Sequence, residues 1–326
     1  MTDLLKRLML AKGVSGREEQ IREVIKKEVE PYADEIITDP LGNLIARKKG
    51  NGKKIMLCAH MDEIGFFASY IDNDGLIRVS AVGGIDTLAC AFSEVVSENG
   101  VYGVLVPEST KEAPKLEEMY IDIGAKTKKQ AEKKVRVGEF FVCTPSIRKL
   151  YGTRFVGRPF DDRVGCAILI EALKNVKKTD NDLYFVFSTQ EEVGGRGSKP
   201  ATYSIVPDVG IALDVTRTGD KPGSPSMAVK LGGGCTIKIK DSGAISSPEL
   251  VKKMREIAEK GKIKYQNEVL LSGGTDAGSM QIAGRGLQVS AISIPTAYIH
   301  TGVEMIDMID VKEAVKLTAT LCEKLN

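Results

Sequence analysis

The chain has 326 residues, 42% hydrophobic and 28% charged, the balance of a soluble globular protein with room for one large domain or two smaller ones. Its 46 Lys and Arg against 44 Asp and Glu leave a net charge of +2, too little basic excess to point to a nucleic-acid or anionic-membrane partner. Apolar runs fall well short of the ~18 residues of a membrane span, the first residues lack a signal-peptide pattern, and six cysteines without a CxxC pair read as reduced thiols of a cytoplasmic protein.

Residues 3 to 30 read as helices broken at Gly13-Val14-Ser15-Gly16. Ser15 and Glu18 have the spacing of a capping box, and Ile21, Val24, Ile25 and Val29 form an apolar stripe behind it. A strand at 44–46, an Asn51-Gly52 turn and an apolar strand at 54–59 come next, with His60 directly after. From 67 to 149 the texture changes to short strand-like runs separated by Gly, Pro and Asn, with a single short helix starting near Thr127, which predicts a small all-β domain. The basic residues between Lys126 and Arg136 read as the solvated face of that helix.

Beyond residue 155 helices and strands alternate: a helix at 164–176, strands at 183–188 and 210–213, an alternating stretch at 235–240, a helix at 248–260, a strand at 289–294, and a last helix capped by Asp310. Apolar strands separated by helices predict an α/β fold with a largely parallel central sheet flanked by helices. The simplest organisation is one α/β domain made of residues 1–66 and 150–326, interrupted by a β domain at 67–149; insertion at a loop is physically tolerated. No glycine cluster has the spacing of a phosphate-binding loop or a dinucleotide fingerprint.

The chemistry-bearing residues fall beside predicted strand ends. His60 and Asp62 follow one strand, Glu191 and Glu192 another, Asp214 closes a third, and His300 follows the strand at 289–294; Asp161 and Asp162 precede a helix. In a parallel α/β sheet the carboxyl ends of the strands share one edge, where ligands bind. Taken singly, each residue has an ordinary reading as a strand-end polar group, a helix cap or a turn. Together, two imidazoles and several carboxylates suit a pair of divalent metals ~3.5–4 Å apart, with one carboxylate bridging. Without metal the acids would repel one another.

Six stretches then stand out: AHMDEIGF at 59–66, GRPFDDRVGC at 157–166, FSTQEEVGGRG at 187–197, ALDV at 212–215, GGTDAG at 273–278 and SIPTAYIHTGVEMID at 293–307. In this order, over almost the whole chain, they resemble the M42 family of metallo-aminopeptidases, within the clan of co-catalytic zinc exopeptidases. The resemblance implies a catalytic α/β domain with a small inserted β domain that takes part in assembly and site access. It implies two divalent metal ions per subunit, Zn2+ or Co2+ with Mn2+ as a further choice. By motif, His60 and Asp214 would ligate the first metal and Glu192 and His300 the second, with Asp162 bridging them. Asp62 would orient His60, Glu191 would be the general base toward a metal-bridging water, and Asp161 would be supporting or structural. The substrates implied are peptides with a free N-terminus. The partners implied are further copies of the chain in a large homo-oligomer, a tetrahedral dodecamer, with neither nucleic acid nor membrane.

The chain departs from the family pattern at Arg217, where many relatives carry His, and at Pro107-Glu108-Ser109, where many carry PPH. Both changes bear on substrate preference and on oligomer contacts. Two other readings stand beside the peptidase: a glycan hydrolase of the kind labelled cellulase, for which two carboxylates suffice, and a non-catalytic assembly protein with the same fold.

Overall fold

Four strands carry the interior of the molecule, and their sequences explain why. Lys54–His60, Asp182–Ser188, Val209–Thr216 and Gln288–Ala297 are almost entirely buried runs, the last three rich in β-branched or aromatic residues. They lie in the order Asp182–Ser188, Lys54–His60, Val209–Thr216, Gln288–Ala297, and each neighbouring pair is parallel. The computed structural model describes residues 1–110, 112–224 and 226–325.

Strand side chains alternate between faces, and here both faces are apolar. Ile55, Leu57 and Ala59 enter a core shared with the helices Thr2–Leu10, Glu19–Val29, Arg163–Asn175, Pro248–Lys260 and Met308–Lys324. Met56 and Cys58 enter a second core, under the helices Ser198–Ile205 and Asp276–Gln281. Two covered faces are what a parallel sheet requires.

The sheet as a whole is mixed, with 11 strands among the described residues. The hairpin Glu35–Thr38 and Leu44–Lys48 is added antiparallel on one side, and Glu304–Asp307, Arg154–Arg158 and Ser146–Lys149 antiparallel on the other. Cys235–Lys240 pairs antiparallel with Gln288–Ala297 and parallel with Tyr265–Val269. The predicted cap of the last helix is corrected by three residues. Asp307 caps it, accepting the Ile309 N–H, while Asp310 lies in the first turn and accepts the Gly232 and Gly234 N–H groups of a neighbouring loop.

Between His60 and the helix Arg163–Asn175 the chain makes a closed antiparallel barrel. Its strands are Gly65–Ile71, Ile77–Val82, Met119–Asp122, Tyr102–Pro107, Glu94–Ser97 and Phe140–Cys143, in barrel order. Phe66, Ile77, Leu105, Ile121 and Phe141 fill it. Closure leaves the barrel strands no open edge. The short helix Lys128–Ala131 is capped by Thr127, whose side chain accepts the Gln130 N–H.

Candidate metal centre

The parallel register aligns the strand ends on one edge. Ser188 pairs with His60, and Asp214 pairs with Ser293. The loops that leave this edge carry Glu191, Glu192 and His300, and the turn before the helix Arg163–Asn175 carries Asp161 and Asp162. They surround a cavity of about 510 Å³ lined by His60, Asp161, Glu191, Glu192, Asp214 and His300 among others, with Arg217 on its wall.

Two groups of ligand atoms share a residue. His60, Asp161 and Asp214 form one, and Asp161, Glu192 and His300 the other, with all ligand atoms in each group within 4.8 Å of one another. The Asp161 carboxylate stands between the imidazoles: Oδ1 is 3.1 Å from His60 Nε2, and Oδ2 is 3.3 Å from His300 Nε2. Asp214 Oδ1 is 3.8 Å from His60 Nε2, and Glu192 Oε2 is 3.2 Å from His300 Nε2.

The sequence expectation has Asp162 bridging and Asp161 supporting, whereas the geometry sets Asp161 between the two groups. Asp162 belongs to neither group. It is the N-cap of the helix Arg163–Asn175, where its Oδ1 accepts the Gly165 N–H at 3.0 Å. Adjacent side chains on a turn face different ways, and Asp161 is the one that reaches both histidines.

Asp62 is fully buried and organises the site from behind. Its carbonyl oxygen lies 3.0 Å from His60 Nδ1 and its Oδ1 3.4 Å from the same nitrogen, so Nε2 is left to face Asp161. The same Oδ1 accepts the Glu191 N–H, and Oδ2 accepts the Glu192 N–H. One carboxylate thereby fixes an imidazole and the backbone beneath two glutamates.

Sequence reasoning missed two residues here. Ser15 does not cap a helix; its hydroxyl donates to Asp62 Oδ2 at 2.6 Å. Glu18 accepts the N–H groups of Gly16 and Gln190 through Oε1, pinning the loop ahead of Glu191. The helix begins at Glu19 without a side-chain cap. The S-x-x-E spacing is the visible signal; it suggests a local motif, but two of its three bonds are long-range. Gln190 and His300, on the two loops concerned, have φ of 56° and 64°. Non-glycine residues in the left-handed region cost of order 1–3 kcal/mol and persist where their surroundings over-determine them.

The electrostatics suit cations. Burial opposes the charged form of His300, but Asp161 and Glu192 outweigh it and raise the imidazole to about 11. His60 is likewise raised, against the effect of burial, by Asp161, Asp214 and Asp62. Burial raises Asp214 to about 6, aided by Asp161 and opposed by His60. Glu192 is raised by burial and by the charge of Asp161, and its Oε1 is buried without a hydrogen-bond partner. A carboxylate between two imidazoles, further acids on each side and an unpartnered carboxylate oxygen together fit a pair of divalent ions held by N and O donors. Glu191 lies in neither ligand group. Burial lifts its carboxyl well above the ordinary range, Asp214, Asp276 and Glu192 add to the effect, and His60 opposes it.

Comparison with known proteins gives the same picture. A putative aminopeptidase of Acetivibrio thermocellus is 49% identical over 320 residues, 97% of either chain. The structure of an aminopeptidase from the archaeon Desulfurococcus kamchatkensis matches with a TM-score of 0.95 and 36% identity, covering 99% of this chain and 94% of that one. The TET1 peptidase of Pyrococcus horikoshii, described as able to assemble into a tetrahedron or a large octahedral shell, matches with a TM-score of 0.90 and 35% identity over 99% of each chain. The family model described as M42 glutamyl aminopeptidase matches residues 42–317, nearly the whole chain including every residue of the two ligand groups, and the chain belongs to that family.

Proposed function

We propose that the protein is a metal-dependent aminopeptidase, removing N-terminal residues from peptides with Glu191 as general base. The observation that carries the reading is the Asp161 carboxylate shared between two imidazole-containing groups. His60, Asp161 and Asp214 would hold one divalent ion, and Asp161, Glu192 and His300 the other. When bound, the ions lower the pKa of water and polarise the scissile carbonyl. Glu191 would take the proton from the attacking water and pass it to the leaving amine. Asp62 would keep His60 and the 191–192 backbone in register during that transfer. Zn2+, Co2+ and Mn2+ all suit a thiolate-free N,O donor set. Against the glycan-hydrolase reading, both histidines stand inside the carboxylate cluster, where a two-carboxylate glycosidase has no need of them.

The test is a matched pair of peptides, one with a free α-amine and one acetylated, offered to metal-stripped and metal-restored protein. Cleavage is expected only of the free peptide and only with metal, because a blocked amine is a much poorer metal donor. Hydrolysis of either peptide by verified metal-free protein, or glycan hydrolysis that survives chelation, would overturn the reading.

Residues 67–149 would form the bulk of the inserted domain, and its barrel, which runs from Gly65 to Cys143, would contribute to a large closed homo-oligomer. Support comes from the assembly named for the Pyrococcus horikoshii TET1 peptidase. Replacing the barrel, residues 65–143, with a short linker is expected to reduce the native mass to that of a much smaller species; an undiminished assembly would refute the role. A cytoplasmic location is supported by six buried, unpaired cysteines. Among the described residues no helix is long and apolar enough to cross a membrane.

A further inference from the structure

We infer that Arg158 and Glu304 form a positioning clamp that sets the Asp161 carboxylate and the His300 loop in register with each other; the inference rests on the dinuclear reading of the site. Both residues lie within the stretches that carry the family resemblance, yet neither belongs to a ligand group. Glu304 is fully buried and opens the strand Glu304–Asp307. Its Oε2 accepts the N–H groups of Phe160 at 2.5 Å and Asp161 at 3.1 Å. Its Oε1 is 3.3 Å from Nη1 of Arg158, itself buried at the end of the strand Arg154–Arg158. The same Nη1 donates to the Thr301 carbonyl at 2.5 Å, one residue beyond His300, and Nη2 donates to the Ile64 carbonyl at 3.5 Å. One ion pair therefore grips the backbone under Asp161, the loop after His300 and the turn after Asp62.

A buried pair of this kind is weak evidence for stability, because desolvation offsets much of the attraction. Its placement is better explained by what it holds. Asp161 must present one oxygen to each group at the same time, so a small rotation of its backbone favours one group over the other. His60 and Asp214 sit on central strands fixed by the sheet. His300 sits on a loop, and the clamp reaches both that loop and Asp161. Its loss should thus fall on the Asp161–Glu192–His300 group more than on the His60–Asp161–Asp214 group.

The experiment is equilibrium titration of metal-stripped, full-length protein with Zn2+, reading two stepwise dissociation constants, for wild type, Glu304→Gln and the double variant Arg158→Met with Glu304→Gln. The double variant removes both charges, so it avoids stranding an unpaired arginine if the single variant folds poorly. Loss of a partner that supports a metal ligand typically costs ~10–100-fold in affinity. One of the two ions is expected to lose affinity by that order in both variants, while the other changes far less. Equal weakening of both ions, or unchanged affinities with only a lower melting temperature, would assign the pair a purely structural role and overturn the clamp. Wild-type protein that fails to bind two ions would instead overturn the dinuclear reading, which separates the two failures.

Discussion

Replacing Glu191 with Gln is expected to slow turnover by ~10²–10⁴-fold, the usual worth of a positioned proton acceptor, while both metals stay bound. The amide keeps the size of the side chain and removes its basicity. Glu191 belongs to neither ligand group, and its backbone N–H is held by Asp62 at 3.0 Å whatever the side chain is, so the replacement should leave the loop where it is. Glu192 is adjacent and should behave differently. Its Oε2 lies 3.2 Å from His300 Nε2 inside a ligand group, and a neutral amide is a poorer ligand than a carboxylate. Glu192→Gln should therefore weaken one ion and recover part of its rate at high metal concentration. Metal content by elemental analysis beside turnover for each variant decides the matter. A Glu191→Gln protein that had lost a metal, beside a Glu192→Gln protein that kept both, would mean that the two roles are exchanged.

Much of this arrangement can be read from where the strands end. Runs such as KIMLCAH and VGIALDVT announce buried strands by composition, and a parallel sheet brings their ends to one edge whatever the separation in sequence. That rule places His60, Asp214, Glu191, Glu192 and His300 near one another without coordinates. It is silent on which way a side chain faces within a turn. Asp161 and Asp162 have the same chemistry and adjacent positions, and the backbone beneath Asp161 is held by Glu304, distant in sequence, which accepts the amides of Phe160 and Asp161. Ser15 and Glu18 show a related limit. Their spacing satisfies a local motif, but Ser15 bonds Asp62 and Glu18 bonds Gln190, contacts that exist only once the chain has folded. The antiparallel flanks of the sheet were also beyond reach, because short edge strands such as Ser146–Lys149 and Arg154–Arg158 carry little periodicity.

The paired aspartates make an equally sharp prediction. Asp161→Asn and Asp162→Asn are the same chemical change one residue apart, and their effects are expected to differ widely. Asp161 offers one oxygen to each ligand group. Asparagine can offer a single neutral oxygen, so both ions should bind less tightly. The loss of activity should exceed the ~10–100-fold that follows removal of a group merely supporting a ligand. Asp162 accepts the Gly165 N–H as an N-cap, and asparagine caps helices about as well as aspartate. Asp162→Asn should therefore keep both metals and most of its activity. Asp162→Ala, which removes the capping oxygen, should cost about 0.5–2 kcal/mol of stability. Burial and the nearby charge of Asp214 raise the Asp162 carboxyl well above its ordinary range, with His60 opposing. The readouts are metal stoichiometry, turnover and denaturant midpoint for the three variants. Should Asp162→Asn shed metal while Asp161→Asn retains both ions, the bridging role would return to Asp162.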